Sequence, residues 1–394
     1  MISVGNEYDR IRPDHPLKLD HLFRLHDDTG IAQHAVYSVP DWREGYCVDD
    51  VVRSLQFCCR LYEVSIPGGE PRIDPAYRHL RERIERLIST SLAFCSYGLN
   101  RERGRFRNFM TFDRRWCEEV GSDDAHGRAL WGLATAAARA PGEGFRSLAI
   151  ELLQVGFPAM TEIESPRSLA FAILACGELH DAGITAVDYR PVLERMAERL
   201  LPRFTRCSGN PWPWPEPLIT YANARLPHGL IVAGELLGNP AAIECGLDSL
   251  RWLFSSQRSP DGWLSIIGNR GWYGPKSGRA PFDQQPIEAH CLIDAACRAW
   301  KVSGDDFFLE GGMMAWEWFI GRNDLGLPLY DPETGGCFDG LTPEGVNRNQ
   351  GGESLLAWLG GSRMLHEVIS ANIHADVLPA SLIFERNRRG VQEQ

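Results

Sequence analysis

The segment from Gly121 to Trp131 reads G-S-D-D-A-H-G-R-A-L-W. Two adjacent carboxylates, a histidine and an arginine stand where a polar loop gives way to an apolar run opening with Ala129, Leu130 and Trp131. Ser122, Asp123 and Asp124 are all good N-cap residues, and the free N–H groups of a helix start favour carboxylates in the ionised form. One aspartate at such a place is ordinarily a cap. The same polar loop-to-helix junction recurs along the chain, and that recurrence points beyond capping.

Outward from this stretch, apolar helices are expected to start near Val48, Gly127, Pro166, Asn223, Pro286 and Glu353. Amphipathic helices starting near Tyr77, Glu143, Tyr189, Pro240 and Asp305 alternate with them, and a weakly helical segment at Leu17–His26 supplies a sixth partner. Helices apolar on most sides are buried, and one-sided helices face solvent. Six buried helices alternating with an outer layer predict an all-α (α/α)6 barrel, a six-hairpin toroid with long loops at one end. An α-solenoid is the alternative, but its repeats are shorter and more regular. Residues 1–394 form one expected domain, with an irregular segment over 1–16 and a weakly patterned tail from about 377. Phe106 to Phe112 suggests a short hairpin.

Composition narrows the function classes. The net charge of −11 has no basic block to offset it, which argues against a nucleic-acid partner; Arg101, Arg103, Arg105 and Arg107 form only a local loop cluster. No run of apolar residues is long enough to span a membrane, and the first ten residues are polar rather than signal-like. The 11 cysteines are scattered and mostly within apolar helices, the pattern of reduced thiols in a cytoplasmic protein. There is no H-E-x-x-H, EF-hand loop or cysteine cluster, so no metal and no cofactor is expected. Of the 12 tryptophans, Trp131, Trp316 and Trp318 fall at helical spacing and read as core. The loop N-P-W-P-W-P-E-P is too proline-rich for a helix or central strand, and presents Trp212, Trp214 and Glu216.

In such a barrel the loops before the inner helices gather at one end. Those junctions carry Asp49, Asp50 and Arg53; Asp123, Asp124, His126 and Arg128; Glu164 and Arg167; Tyr221, Asn223, Arg225 and His228; Asp283, Gln284, Gln285, Glu288 and His290; and Asn347, Asn349, Gln350 and Glu353. The opposite junctions are plainer. Amide, carboxylate and guanidinium groups at all six starts, interleaved with the tryptophans, suit a cavity for a polyhydroxylated ligand. His228 and His290 read equally as core histidines or ligand contacts, and Arg53 and Arg128 equally as partners of neighbouring carboxylates or of ligand.

The motifs G-Y-C-V-D-D-V-V-R, G-S-D-D-A-H-G-R-A-L-W, N-A-R-L-P-H, F-D-Q-Q-P-I-E-A and N-Q-G-G-E-S-L-L-A-W-L resemble those of bacterial glycosyltransferase-associated proteins of the six-hairpin glycosidase superfamily. The resemblance runs from about Asp27 to Leu365. It implies an (α/α)6 barrel, a carbohydrate-directed activity on a sugar or oligosaccharide, and a glycosyltransferase as partner; the chain itself has no phosphate-binding glycine fingerprint.

Glycoside cleavage needs one carboxylic acid to protonate the leaving oxygen and a second carboxylate to activate water or attack carbon. Asp124 and Glu288 are the expected pair of a glycoside hydrolase or phosphorylase, with Asp50, Glu216 and Glu353 in reserve. Asp123, His126, Arg128, Trp212, Trp214, Asn223, Arg225, His228, Trp272, Asp283, Gln284, Gln285, Asn349 and Gln350 are the expected substrate contacts. The sequence leaves open which acid donates the proton. The alternatives are a sugar epimerase or isomerase using His126, His228 or His290 as acid and base, and a non-catalytic sugar-binding partner of a glycosyltransferase.

Overall fold

The computed structural model describes Pro13 and residues 16–64 and 75–373. The expected irregular N-terminus and the tail from about 377 lie outside these residues, apart from Pro13 and Pro16. Six inner helices are α2 (Val48–Val64), α4 (Asp123–Arg139), α6 (Pro166–Asp181), α8 (Arg225–Leu237), α10 (Pro286–Ser303) and α12 (Gly352–Ile373). The outer helices are α1 (Asp20–Leu25), α3 (Pro75–Gly98), α5 (Glu143–Gly156), α7 (Arg190–Thr205), α9 (Pro240–Gln257) and α11 (Asp306–Phe319). Each inner helix packs on the next, and α12 closes on α2. That closure makes the fold an (α/α)6 barrel and excludes the open solenoid. α3, α5, α7, α9 and α11 cover α2, α4, α6, α8 and α10, and the short α1 lies on α12. No helix among the described residues is long and apolar enough to cross a membrane.

The inner helices are buried nearly all round, as their composition requires. On α4 every residue from Ala125 to Ala137 is buried. Close approach is set by small residues. A Cβ on Gly127 would lie 2.6 Å from Ser168 Oγ and 2.8 Å from the Ser168 carbonyl oxygen on α6, so only glycine fits. α4 begins at Asp123, four residues before the apolar run suggests, because Ser122 is its cap. The Ser122 Oγ accepts the Ala125 N–H at 3.1 Å. Both aspartates are thereby free of the capping role.

The strands are two- and three-residue pieces that pin the long loops. Leu99–Asn100 pairs with Arg105–Phe106, while Phe109–Met110 pairs with Tyr46–Cys47. The hairpin expected over 106–112 is therefore shifted: the turn falls at Arg101–Gly104, where Gly104 adopts a φ of +62°. The arginines there are tied down, with Arg101 on Glu151, Arg105 on Asp123 and Arg107 on Glu119.

Candidate active site

The cavity along the barrel axis fixes the phase of each inner helix. It is lined by Arg53, Phe57 and Arg60 of α2, Arg128 and Trp131 of α4, His290 and Asp294 of α10, and Gly360 of α12, among others. Stepping back three, four or seven residues along each stripe brings Asp49 and Asp50, Asp124 and Glu353 to the mouth, at the inner-helix starts. The lumen is thus layered. Carboxylates form the top turn, and arginines lie one turn below. Trp131, which reads as plain core, is buried but faces this lumen and stacks on Phe171.

Asp50 is 6% exposed. Its Oδ2 accepts the Cys47 thiol at 3.2 Å. Burial pushes its carboxyl up to about 7, against the pull of Arg53 and with help from Asp49 and Glu353. A carboxyl that holds a proton near neutral pH is the property a general acid needs. Asp124 is half-buried. Ser165 Oγ donates to its Oδ1 at 2.5 Å and the Tyr221 hydroxyl to its Oδ2. Burial raises its pKa, while Ser165, Arg167 and Arg128 oppose the rise. Asp49 lies between two guanidiniums, with Arg53 Nε and Arg128 Nε each 2.8 Å from its Oδ1. Glu353 reaches Arg53 Nη2 at 3.0 Å and is 42% exposed.

Glu288 departs from expectation. Helical period places Ile287, His290 and Asp294 on the lumen stripe and turns Glu288 aside toward α8. There its Oε1 accepts the Ala222 N–H, and its Oε2 accepts Asn223 Nδ2 at 2.9 Å and the Asn223 N–H at 3.3 Å. Ala222 adopts a φ of +47°, rare for a residue with a Cβ. Burial raises the Glu288 pKa, and these N–H donors oppose the rise. The side chain thereby holds the turn at Ala222 and Asn223.

Glu216 is likewise a holding residue. Arg167 grips it through two parallel bonds of 2.8 and 2.9 Å. The same guanidinium donates to the Tyr221 carbonyl at 2.5 Å and lies over the Tyr221 ring at 4.8 Å. Glu216 therefore acts on Asp124 indirectly, through Arg167 and Tyr221. The tryptophans of its loop are not open platforms. Trp214 is 2% exposed and stacks on Trp252 of α9, and Trp212 packs edge-on against Trp252 and Tyr273.

Other expected contacts divide between rim and core. His126 is fully buried in the core: its Nδ1 faces the Phe106 N–H at 3.3 Å and its Nε2 the Gly156 carbonyl at 3.2 Å. Gln284 is fully buried, its Oε1 accepting Trp318 Nε1 and its Nε2 donating to the Pro281 carbonyl. Gln350 is held by Asp331 and Thr334. These three are structural. Asn223 is buried against Glu288, and Asp283 pairs with Arg270. Asp123 pairs with Arg105 and keeps a 40% exposed side chain. Gln285 and Trp272 are half-buried, the latter with a φ of +59°. Asn349 accepts the Tyr37 N–H at 3.0 Å.

Deeper down, Arg225 and His290 converge on Asp294. Arg225 Nη1 is 2.6 Å and His290 Nε2 3.2 Å from Asp294 Oδ2. Burial alone would raise the Asp294 carboxyl, but His290 and Arg225 hold it well below the ordinary range. Burial lowers His228 to about 3. Asp294 went unread in the sequence, although its i,i+4 spacing from His290 on one helix face is a signal for the pair. Tyr37, 63% exposed at the rim with a φ of +53°, and the half-buried Asp339, bonded to the Gly351 N–H, carry no such signal. Among the described residues no group of three or more His, Cys, Asp or Glu is placed to hold a metal.

No protein-family model matches the chain, and no curated protein is detectably similar in sequence. Solved structures share its fold. A sugar epimerase from a ruminal bacterium superposes with a TM-score of 0.65 at 14% identity, over 89% of this chain and 95% of that one. Cellobiose 2-epimerase from Bacillus thermoamylovorans gives 0.65 at 10%, over 90% and 96%. An inactive variant of an alpha-1,6-mannanase from Salegentibacter, altered at two adjacent aspartates and bound to alpha-1,6-mannotetrose, gives 0.55 at 9%, over 89% and 96%. The six-hairpin barrel implied by the sequence motifs is thus the fold this chain adopts.

Proposed function

We propose that the chain is a carbohydrate-active enzyme that cleaves a glycosidic bond, as a hydrolase or phosphorylase, at the mouth of the barrel. The observation that carries this is the placement of Asp50, 6% exposed at the start of α2 and in the same turn-layer as Asp124, where burial pushes its carboxyl up to about 7. Asp50 would donate the proton to the leaving oxygen. Asp124, oriented by Ser165 and Tyr221, would activate the nucleophile or attack the anomeric carbon. Asp49, Arg53, Arg128, Arg167 and Glu216 are positioning groups. Two adjacent aspartate pairs, 49–50 and 123–124, stand at inner-helix starts, in keeping with a mannanase inactivated at an adjacent pair. The eleven free cysteines, eight of them buried, support a cytoplasmic location. A glycosyltransferase partner rests on the sequence resemblance alone.

A second reading, a sugar epimerase or isomerase, is favoured by one observation: His290, braced by Asp294, faces the lumen. The test is turnover of manno-, gluco- and galacto-oligosaccharides, with and without phosphate, by wild type, Asp50→Asn, Asp124→Asn and His290→Gln. New reducing ends or sugar phosphates, lost in both aspartate variants, are expected. Sugars of unchanged length but altered configuration, lost in His290→Gln, would replace this reading with the second. Sugar binding without turnover would refute both in favour of a recognition module.

A further inference from the structure

Beneath the carboxylate layer, three guanidiniums from three inner helices line one small cavity: Arg53 of α2, Arg128 of α4 and Arg225 of α8. They are 7%, 2% and 1% exposed. Their charges are partly matched, by Asp49 and Glu353 above and by Asp294 below. Their hydrogen-bonding capacity is not. Arg53 Nη1 and Arg128 Nη2 are buried without any partner, and the Nε–H groups of both arginines, though 2.8 Å from Asp49 Oδ1, make no well-angled hydrogen bond to it. Unmet buried donors are costly, more so when charged.

Two aromatic faces hold these groups without using their donors. The Arg128 guanidinium lies 4.1 Å from the centre of the Phe171 ring, and that of Arg225 4.7 Å from Trp131. Stacking of this kind leaves the N–H edge of a guanidinium available. Two further arginines line the same cavity: Arg60 is matched by Glu178, and Arg363 pairs with Glu367 while its Nε has no partner. The carboxylate facing the cavity, Asp294, shares its Oδ2 between Arg225 and His290 and leaves its Oδ1 without a partner. Burial, then Arg53, holds the Arg128 pKa below its ordinary value, in spite of Asp49. The cavity measures about 40 Å³, room for roughly three waters or one small tetrahedral group.

We propose that this recess binds an oxyanion of the phosphate class, held by Arg53 Nη1 and Arg128 Nη2 with Arg225 behind them. The anion is either a phosphoryl group carried by the sugar in the mouth or free inorganic phosphate beneath it. Only this choice of source rests on the mouth being the sugar site; the binding itself does not.

The experiment is calorimetric titration at constant ionic strength with inorganic phosphate, glucose 6-phosphate and glucose, on wild type, Arg128→Gln and Arg128→Lys. Wild type is expected to bind phosphate or the phosphosugar saturably, at least tenfold more tightly than it binds glucose. Arg128→Gln is expected to weaken that binding at least tenfold, and Arg128→Lys to restore part of it. Thermal melting without phosphate checks that each variant folds. Preference for the phosphosugar over phosphate assigns the anion to the substrate, and the reverse assigns it to free phosphate. Equal binding by wild type and Arg128→Gln, no anion binding, or binding of glucose as tight as of its phosphate would overturn the proposal. Glycoside turnover by a protein that fails this test would leave the catalytic reading standing.

Discussion

Replacing Asp50 with asparagine should make the protein more stable and catalytically dead, with the stability gain governed by pH. The Asp50 carboxyl rises from 3.8 in the unfolded chain to about 7 in the fold. Between those values the native state holds a proton that the unfolded state has released, so stability falls as pH rises through this window. A shift of about 3 pH units corresponds to about 4 kcal/mol. The loss begins near pH 4, is complete a little above 7, and then stays constant. Asparagine has no such ionisation. Asp50→Asn should therefore match wild type near pH 4 and exceed it by up to about 4 kcal/mol at pH 8.

The assay is urea unfolding of both proteins at several pH values between 4.5 and 8.5. Groups that titrate alike in both chains cancel in the difference. Wild-type kcat/KM should fall above about pH 7 as the acid loses its proton, while Asp50→Asn loses activity by about 10²–10⁴-fold throughout. A stability difference that does not vary with pH, or a variant less stable at pH 8, would refute the assignment of a buried, protonated carboxyl.

Asp124→Asn should lower kcat by about 10²–10⁴-fold, and Tyr221→Phe, which removes one hydroxyl donor to Asp124, should lower it by about tenfold; steady-state kinetics checks both. Glu216→Gln leaves the buried Arg167 without its carboxylate and should cost about 3 kcal/mol in urea unfolding, while lowering kcat through Tyr221. Gly127→Ala forces a Cβ to within 2.6 Å of Ser168 Oγ and should cost about 1–3 kcal/mol, read as a lower melting temperature.

The barrel was legible because burial writes itself into composition: α6 and α8 are apolar on nearly every face, α3 and α7 on one. The mouth was legible as a set of helix starts, but not side chain by side chain. Glu288 sits one residue from a lumen position, and one residue turns a helical side chain by about 100°. The phase of α10 is fixed by its packing on α8, α11 and α12, which no local pattern records. Trp212 and Trp214 read as exposed because prolines forbid regular structure around them, yet the loop folds back on Trp252, 38 residues beyond Trp214. Ser122 shows the converse. Three good caps in a row leave the cap ambiguous, and only the backbone geometry selects the serine.

Helix level orders the polar groups that share this lumen. Asp49 and Asp124 each stand four residues ahead of an inward arginine, Arg53 and Arg128, so their Cα levels are about 6 Å apart along the axis, while both guanidiniums reach up to within 2.8 Å of Asp49 Oδ1. His290, the fifth residue of α10, belongs to the lower layer, beside a cavity of about 40 Å³. A Cβ on Gly360, facing His290 from α12, would lie 2.8 Å from its ring, so the wall there leaves the imidazole no slack to move outward. Asp50 is buried and His290 half-buried on the same lumen, so exposure does not choose between them, and it is the loss of turnover in Asp50→Asn or in His290→Gln that separates bond cleavage from proton exchange.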